Sequence, residues 1–259
     1  MIPLKTAAPF RLLALDMDGT LLTEDKRITP ETKRWIQYAQ QAGITVIFST
    51  GRGIQTAGPF WDELGLDSPM VLLNGAEIWA GPGRLHERNF ISRDDIRKLH
   101  SLAVQADAHF WGYCVESLTS RKSWTDEMFE RDWMKFGLRH NDPEVAAKLR
   151  NEIASWGSLE VTRSSDINME IAVKGVSKAS GVKKVCQLLG ITMDQVMAVG
   201  DQHNDLELLC VAGLGIAMGN ADEAVKEAAD GVTDTNERDG VAKAIQKYLF
   251  DLDPVETAV

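Results

Sequence analysis

Short apolar runs that stop at polar clusters recur along this chain, and they constrain its fold more than any other feature. Each run is apolar nearly throughout rather than alternating, which is typical of a strand buried on both faces. Helical patterns separate the runs, and this arrangement predicts a parallel sheet covered by helices on both sides. The predicted strands are Phe10–Leu15, Ile44–Phe48, Met70–Leu73, Gln195–Val199 and Leu214–Met218.

Polar residues follow four of these predicted strands directly. Asp16 follows the first strand, the cluster at 49–52 follows the second, Asn74 follows the third, and Asp201 comes just after the fourth. One such cluster is explained by a surface loop. The carboxyl ends of parallel strands, however, meet at one edge of a sheet, and ligands bind at that edge. Four clusters therefore predict a functional site there.

The middle of the chain has a different character, from about residue 83 to residue 168. It is richer in tryptophan and in charge, and it carries no polar cluster at a strand end. Helical patterns at Arg93–Ala106 and Glu144–Trp156 alternate with strand-like runs at Leu159–Thr162 and Met169–Val173. We interpret this segment as an inserted α+β domain.

Charge and cysteine content exclude several classes of protein. The chain has 259 residues and a formal net charge of −10, which argues against a nucleic-acid partner but not against a small anionic ligand. Its three cysteines form no CxxC pair, so neither a disulfide framework nor a zinc site is supported. No run approaches the roughly 18 apolar residues of a membrane span. We expect a cytoplasmic protein with no membrane partner, and a monomer because no coiled-coil pattern occurs.

Asp16 and Asp18 place two carboxylates two residues apart, directly after a buried strand. Continued strand geometry would send both side chains to the same side of the chain. Two like charges this close need a cation, or one of them must bind a proton. Such a pair suits a reaction in which one carboxylate attacks and the other exchanges a proton, although aspartate and glycine also favour plain turns.

Three further segments carry candidate binding residues. Thr50–Arg52 offers a hydroxyl and backbone N–H groups to phosphate oxygens, but the same segment is equally typical of a helix N-cap. Lys178 begins a predicted helix, where its charge could meet a phosphate, although a lone lysine is commonly a surface residue. Asp201 and Asp205 are predicted to share one face of a new helix, and clustered carboxylates suit Mg²⁺.

Together these segments resemble a known signature. The pattern DxDGTLL, TGR, GxSK and GDxxND is met in order by Asp16–Leu22, Thr50–Arg52, Gly175–Lys178 and Gly200–Asp205. It resembles the haloacid dehalogenase-like (HAD) superfamily and its Cof-type phosphatase branch. The resemblance implies a Rossmann-like doubly wound α/β core, residues 1–83 and 174–259, with an inserted α+β cap, residues 84–173, that selects the substrate. The cap resembles the family only in placement and approximate length.

The resemblance also implies an activity, namely Mg²⁺-dependent hydrolysis of small phosphorylated metabolites. Asp16 would attack phosphorus and form an aspartyl-phosphate, and Asp18 would exchange a proton with the leaving alcohol and with water. We therefore expect a raised pKa for Asp18. Mg²⁺ would be held by the Asp16 carboxylate, the Asp18 backbone carbonyl and Asp201, with Asp205 in a supporting role. The implied phosphate-binding residues are Met17, Thr50, Gly51, Lys178 and Asn204.

Other interpretations stay open at this point. A signalling receiver domain also carries a phosphoacceptor aspartate with Mg²⁺, but the DxD spacing, the length and the insertion argue against it. A phosphotransferase or mutase on the same core differs only in its acceptor. Asp18 and the Asp201 cluster favour phosphate chemistry over dehalogenation. The substrate is not determined among sugar phosphates, nucleotides, flavin precursors and pyridoxal phosphate.

Closure of the site is assigned to the inserted domain, because Leu21–Thr29 leaves room for only a short flap. The predicted hinges are Ala80–Gly83 and Lys174–Val176, which both contain glycine. Within the insertion, Trp111, Trp124, Tyr113 and Arg121 are possible pocket residues, but core packing is the more common role for such residues.

Overall fold

The computed structural model describes residues 9–253, apart from the side chain of Ser164. Its strands, in chain order, are β1 (Leu12–Leu15), β2 (Thr45–Phe48), β3 (Met70–Leu72), β4 (Glu77–Gly81), β5 (Arg84–Arg88), β6 (His109–Cys114), β7 (Leu118–Ser120), β8 (Trp133–Arg139), β9 (Leu159–Ser165), β10 (Asn168–Val173), β11 (Val196–Gly200), β12 (Leu214–Ala217) and β13 (Gly231–Val232). The helices are α1 (Pro30–Gln41), α2 (Ile54–Glu63), α3 (Arg93–Gln105), α4 (Pro143–Ser155), α5 (Lys178–Leu189), α6 (Leu206–Val211), α7 (Glu223–Ala228) and α8 (Gly240–Ala244).

The core is a five-stranded parallel sheet in the order β13-β12-β11-β1-β2. Its strands are apolar along their length because both faces are buried. Leu13 and Leu15 of β1 pack in a cluster with residues of α1 and α8, whereas Leu12 and Ala14 pack in a second cluster with residues of α5, α6 and α7. The predicted doubly wound parallel sheet is confirmed, and the ends of its predicted strands differ from the observed ends by at most two residues.

A small antiparallel sheet, β3-β4-β5, extends the core on the β2 side through a parallel bridge between Ser49 and Val71. The segment Ala80–Gly83, predicted as a hinge, comprises the last two residues of β4 and the two-residue turn of the β4–β5 hairpin. The N–H of Asn89 donates to Ala76, next to this hairpin, and the N–H of Ile91 donates to Trp133 of β8. We therefore propose that the chain crosses to the insertion at Asn89–Ile91, while the domain limits stay a prediction.

The insertion is an antiparallel sheet in the order β7-β6-β8-β10-β9, covered on one face by α3 and α4. Successive side chains along these strands point to opposite faces of the sheet. Phe110, Phe136 and Ile171 pack towards the helices, and the residues between them occupy the opposite face. The sequence predicted β9 and β10 but missed three strands. The apolar residues of β6 and β8 are interrupted by glycine or by charge, and β7 has only three residues. The expected α+β cap is nonetheless confirmed.

Within residues 9–253, the structure contains no helix with the length and apolar character needed to cross a lipid bilayer. The expected monomeric state stays a prediction.

Candidate active site

The carboxyl ends of β1, β2, β3 and β11 bring together the polar clusters that the sequence predicted at this edge. Asp16 directly follows β1, Thr50 lies just beyond β2, and Asp201 directly follows β11. All three are buried. Lys178 reaches the same place from α5, where it is the first helical residue. Ser177 and Ser180 cap that helix reciprocally and so fix the position of its first turn.

Lys178 is bonded to two carboxylates. Its ammonium donates to Asp16 and to Asp205, each at 2.7 Å, and all three side chains are buried. Burial alone would lower the pKa of Lys178, but attraction to the two carboxylates outweighs burial and raises it. Burial raises the pKa of Asp16 well above its usual value, against the attraction of Lys178. The lysine is therefore charged, and its single positive charge faces two carboxylates.

Asp201 lies in the loop between β11 and α6. The hydroxyl of Thr20 donates to its carboxylate at 2.8 Å. Gly19 precedes that threonine with φ +82°, and a Cβ on Gly19 would lie 2.3 Å from the Asp201 carboxylate, so glycine permits this close approach. Burial, with repulsion from Asp205 as the next cause, raises the pKa of Asp201 to about 6.

The prediction that Asp201 and Asp205 share a helix face is wrong. Only Asp205 adjoins α6, as its N-cap residue, and its side chain turns back to accept the N–H groups of Asp201 and Gln202 at 3.1 Å. These bonds satisfy two N–H groups of the loop that runs from β11 to α6, so the chain turns at this loop and the helix begins only at Leu206. One Asp205 oxygen accepts from this loop and the other from Lys178, and the supporting role of Asp205 stays a prediction.

The three carboxylates fit a divalent cation. Asp16, Asp201 and Asp205 each offer an oxygen, and these oxygens lie within 4.8 Å of one another. One lysine does not neutralise three buried carboxylates. Burial is the main cause of the raised pKa values of Asp16 and Asp201, and repulsion among the carboxylates adds to it. Oxygen ligands with excess negative charge are what Mg²⁺ prefers.

Asp18 differs from the expectation. Arg52 donates to both of its oxygens, at 2.6 and 2.7 Å, and Lys26 donates at 2.7 Å. Burial would raise the pKa of Asp18, but the hydrogen bonds from Arg52 and Lys26 outweigh burial and lower it to about 2. The predicted raised pKa is therefore wrong for this arrangement, because the sequence did not reveal that two cations face this carboxylate rather than neighbouring anions.

The predicted phosphate-binding residues surround the same point. Thr50 is buried, and its hydroxyl accepts the N–H of Arg52 at 3.2 Å. Asn204 donates its side-chain amide to Asn74 at 3.4 Å, while its buried oxygen has no hydrogen-bond partner among the described residues. The side chain of Met17 packs in the core, so only its backbone is available to the site.

A cavity of about 290 Å³ lies between these loops and the insertion. Trp111, Tyr113, Lys135 and Glu170 line it from the cap, opposite Asp16. Trp111 and Tyr113 thus occupy the pocket position that the sequence analysis considered less common. The other two candidates lie elsewhere: Trp124 packs among aromatic rings within the cap, and Arg121 bonds to the Ala108 carbonyl.

Comparison with known proteins adds to this geometry. The model of the haloacid dehalogenase-like hydrolase family matches residues 13–141 and 120–245. The chain belongs to this family. It is 38% identical to 5-amino-6-(5-phospho-D-ribitylamino)uracil phosphatase YcsE of Bacillus subtilis over 93% of this chain and 96% of the relative. It is 30% identical to YitU of the same organism, which is also named a 5-amino-6-(5-phospho-D-ribitylamino)uracil phosphatase, over 92% of this chain and 97% of the relative. A solved haloacid dehalogenase-like hydrolase from B. subtilis superposes with a TM-score of 0.85 at 25% identity, over 91% of this chain and 99% of the other.

As a haloacid dehalogenase-like hydrolase with phosphatase relatives of nearly the same length, the protein is a phosphatase of the Cof-type branch. The sequence located its core residues because they lie in contiguous patterns at strand ends. It missed two groups that contact them from a distance, the Lys26 ammonium on Asp18 and the Lys135–Glu170 pair of the cap. The sequence did offer one signal for the second group, since Lys135 and Glu170 are each a single charged residue among the apolar residues of a strand, β8 and β10.

Proposed function

We propose that this phosphatase hydrolyses phosphate monoesters of small metabolites in a Mg²⁺-dependent reaction, through an aspartyl-phosphate on Asp16. One observation carries the proposal. The buried Asp16 carboxylate lies at the floor of a cavity, bonded to Lys178 and within reach of Asp201. A nucleophile, a fixed positive charge and a cation site at one point are what phosphoryl transfer requires.

In this proposal Asp16 attacks phosphorus while the bond from phosphorus to the leaving oxygen breaks. Asp18 gives a proton to that oxygen, and the alcohol leaves. Water then attacks the aspartyl-phosphate, gives its proton to Asp18, and phosphate departs, which regenerates Asp16. Lys178, Thr50, the Gly51 amide and Asn204 would hold the phosphoryl oxygens.

Mg²⁺ would be held by the Asp16 and Asp201 carboxylates and the Asp18 carbonyl, and when bound it supplies charge neutralisation between nucleophile and phosphate. Asp205 would keep Lys178 and the Asp201 loop in place. Asp18 must also exchange its ion pair with Arg52 for a proton. An entering phosphate dianion competes for the same guanidinium, since arginine binds phosphate and carboxylate in the same forked geometry. Substrate binding would thereby draw away Arg52, one of the two cations that hold Asp18 in its ionised form, and leave Lys26 as the other.

For the substrate we propose 5-amino-6-(5-phospho-D-ribitylamino)uracil, the compound named for the relative with 38% identity over 93% of this chain. The cap side of the cavity supports this choice. Trp111 and Tyr113 offer aromatic faces for a heterocyclic ring, and Gln202, from the core side, offers polar atoms to a hydroxylated chain.

The test is phosphate release from a panel containing this compound, sugar phosphates, nucleotides, flavin mononucleotide and pyridoxal phosphate, each with Mg²⁺ and with EDTA. We expect Mg²⁺-dependent turnover in wild type, none in Asp16→Asn, and unchanged turnover in the matched control Asp62→Asn, an exposed aspartate on α2. The uracil compound should give the highest kcat/KM. A stable phosphoprotein without release would favour a receiver-type switch, and transfer to an added alcohol in preference to water would favour a phosphotransferase.

A further inference from the structure

Lys135 and Glu170 form an ion pair on the face of the cap sheet that is turned towards the core. Lys135 lies on β8 with 2% of its side chain exposed, and Glu170 lies on the neighbouring strand β10 with 15% exposed. A buried ion pair gains little stability over apolar side chains of similar size, because both charges lose their hydration. The pair therefore invites a functional explanation beyond holding the cap together.

Both members of the pair bond across to the core. Lys135 donates to the carbonyl of Gly51 at 3.0 Å. One carboxylate oxygen of Glu170 accepts from Lys135, and the other accepts from the side-chain amide of Asn74 at 2.6 Å. Asn74 in turn accepts from Asn204 at 3.4 Å. The pair thus touches, directly or through one residue, the loops that follow β2, β3 and β11.

The bond to Gly51 acts on the peptide that links Gly51 to Arg52. Its carbonyl is held by Lys135 and its N–H by the hydroxyl of Thr50. The backbone N–H of Asn74 also donates to the Thr50 carbonyl, at 2.9 Å. With both ends of the peptide fixed, the loop at 50–52 has a defined orientation. The core also holds this loop through the N–H of Thr50 on Val71 and the N–H of Leu73 on Arg52, so the bonds that depend on the cap are those from Lys135 to Gly51 and from Asn74 to Glu170.

We propose that Lys135 and Glu170 are positioning residues, which complete the orientation of the 50–52 loop and of Asn204 towards the phosphoryl group when the cap lies on the core. The inference rests on the proposed function, in which that loop and Asn204 bind the phosphoryl oxygens. The pair suits this role because it is neutral as a unit. It brings hydrogen bonds to a phosphate site without adding net charge that would trap the product. Cap closure and loop alignment then become a single event.

The test uses the double variant Lys135→Met/Glu170→Gln, which leaves no unpaired buried charge and so avoids the folding defect expected of either single variant. The matched control is Arg97→Met/Glu130→Gln, a 2.8 Å ion pair on the outer, exposed side of the same cap. Both are assayed for kcat and KM with para-nitrophenyl phosphate and with the best metabolite of the panel. We expect kcat to fall by about 10–100-fold for both substrates in the double variant, with little change in KM, since misplacement of about 1 Å costs that much. The control should retain wild-type kcat.

Two kinetic results would overturn the proposal. A loss confined to the metabolite would make Lys135 and Glu170 substrate contacts, because a positioning effect does not depend on the leaving group. Wild-type kcat in a folded double variant would make them structural only.

A second readout does not depend on activity. Hydrogen exchange of the peptide spanning 50–56, in inorganic phosphate and Mg²⁺, should be at least several-fold faster in the double variant than in wild type or control, and equal exchange would refute the positioning role. If wild type released phosphate from no compound, the proposed function would have failed. The exchange measurement would still show whether Lys135 and Glu170 hold the 50–52 loop in place.

Discussion

Asp201→Asn should stabilise the metal-free protein at neutral pH, although it removes a proposed metal ligand. Burial and repulsion from Asp205 raise the pKa of Asp201 from 3.8 to about 6. At about 1.4 kcal/mol per pKa unit, a rise of about two units corresponds to about 3 kcal/mol. The folded protein binds this proton more tightly than the unfolded chain. The stability linked to protonated Asp201 is therefore fully present below about pH 4 and is lost as the pH rises through about 6.

Asparagine carries no charge and keeps an oxygen to accept the Thr20 hydroxyl. The variant therefore does not lose stability as the pH rises through the pKa of Asp201. In EDTA at pH 8, its free energy of unfolding should exceed that of wild type by about 3 kcal/mol, or roughly 6–12 °C in melting temperature for a chain of this size. The difference should grow between pH 4 and 6 and then level off. Mg²⁺ at 100 times its Kd should add about 3 kcal/mol to wild type and close the gap.

The assay is urea unfolding followed by circular dichroism, at pH 4, 5, 6 and 8, with EDTA and with Mg²⁺. Asp62→Asn is the control for loss of an exposed aspartate and should follow wild type at every pH. The reasoning is refuted if Asp201→Asn is no more stable than wild type in EDTA at pH 8, or if the difference between them does not depend on pH.

Three further predictions concern other parts of the site. Lys178→Met leaves two buried carboxylates without their cation, so we expect a loss of about 3–5 kcal/mol in urea unfolding in EDTA, partly restored by Mg²⁺; equal stability with wild type would contradict the buried ion pairs. Arg52→Gln should raise the pKa of Asp18 from about 2 towards its usual value of 3.8, as measured by carboxyl ¹³C NMR, and an unchanged titration would show that Lys26 alone suffices. In Gly137→Ala the new Cβ would lie 2.1 Å from the Trp111 ring and displace it, which should raise KM for ring-bearing substrates but not for a small sugar phosphate; an equal rise for both would argue against a stacking role.

Much of the core site was predictable because each of its residues lies in a short, contiguous sequence motif. Asp16, Asp201 and Lys178 each stand at a strand end or helix start, and parallel topology brings such ends together without any knowledge of side-chain contacts. The pKa of Asp18 was not predictable in this way. It depends on Arg52 and Lys26, which approach from two other segments, and a sequence pattern carries no information about which charge faces which.

The cap shows the same limit more strongly. Its strands β6 and β8 are interrupted by Gly112 and Gly137, where the rings of Trp133 and Trp111 pass so close that a Cβ would clash. Glycine within a run of residues argues against a strand when only the sequence is known, yet here it makes room for large neighbouring side chains. Lys135 and Glu170 are distant in sequence, and only the register of β8 and β10 makes them neighbours.

The placement of the cap between β2 and β11 also has a consequence for how the protein is made. Strand β1 pairs with β11, and the whole cap separates them in sequence. On the ribosome the cap is a contiguous segment that can fold as it emerges, whereas β1 gains its partner β11 only when the last third of the chain is made. Such long-range pairing is slow and leaves apolar strands exposed in the meantime. Asp16 acquires Lys178 and Asp201 only when synthesis is nearly finished, so a stalled or shortened chain carries no assembled phosphatase site.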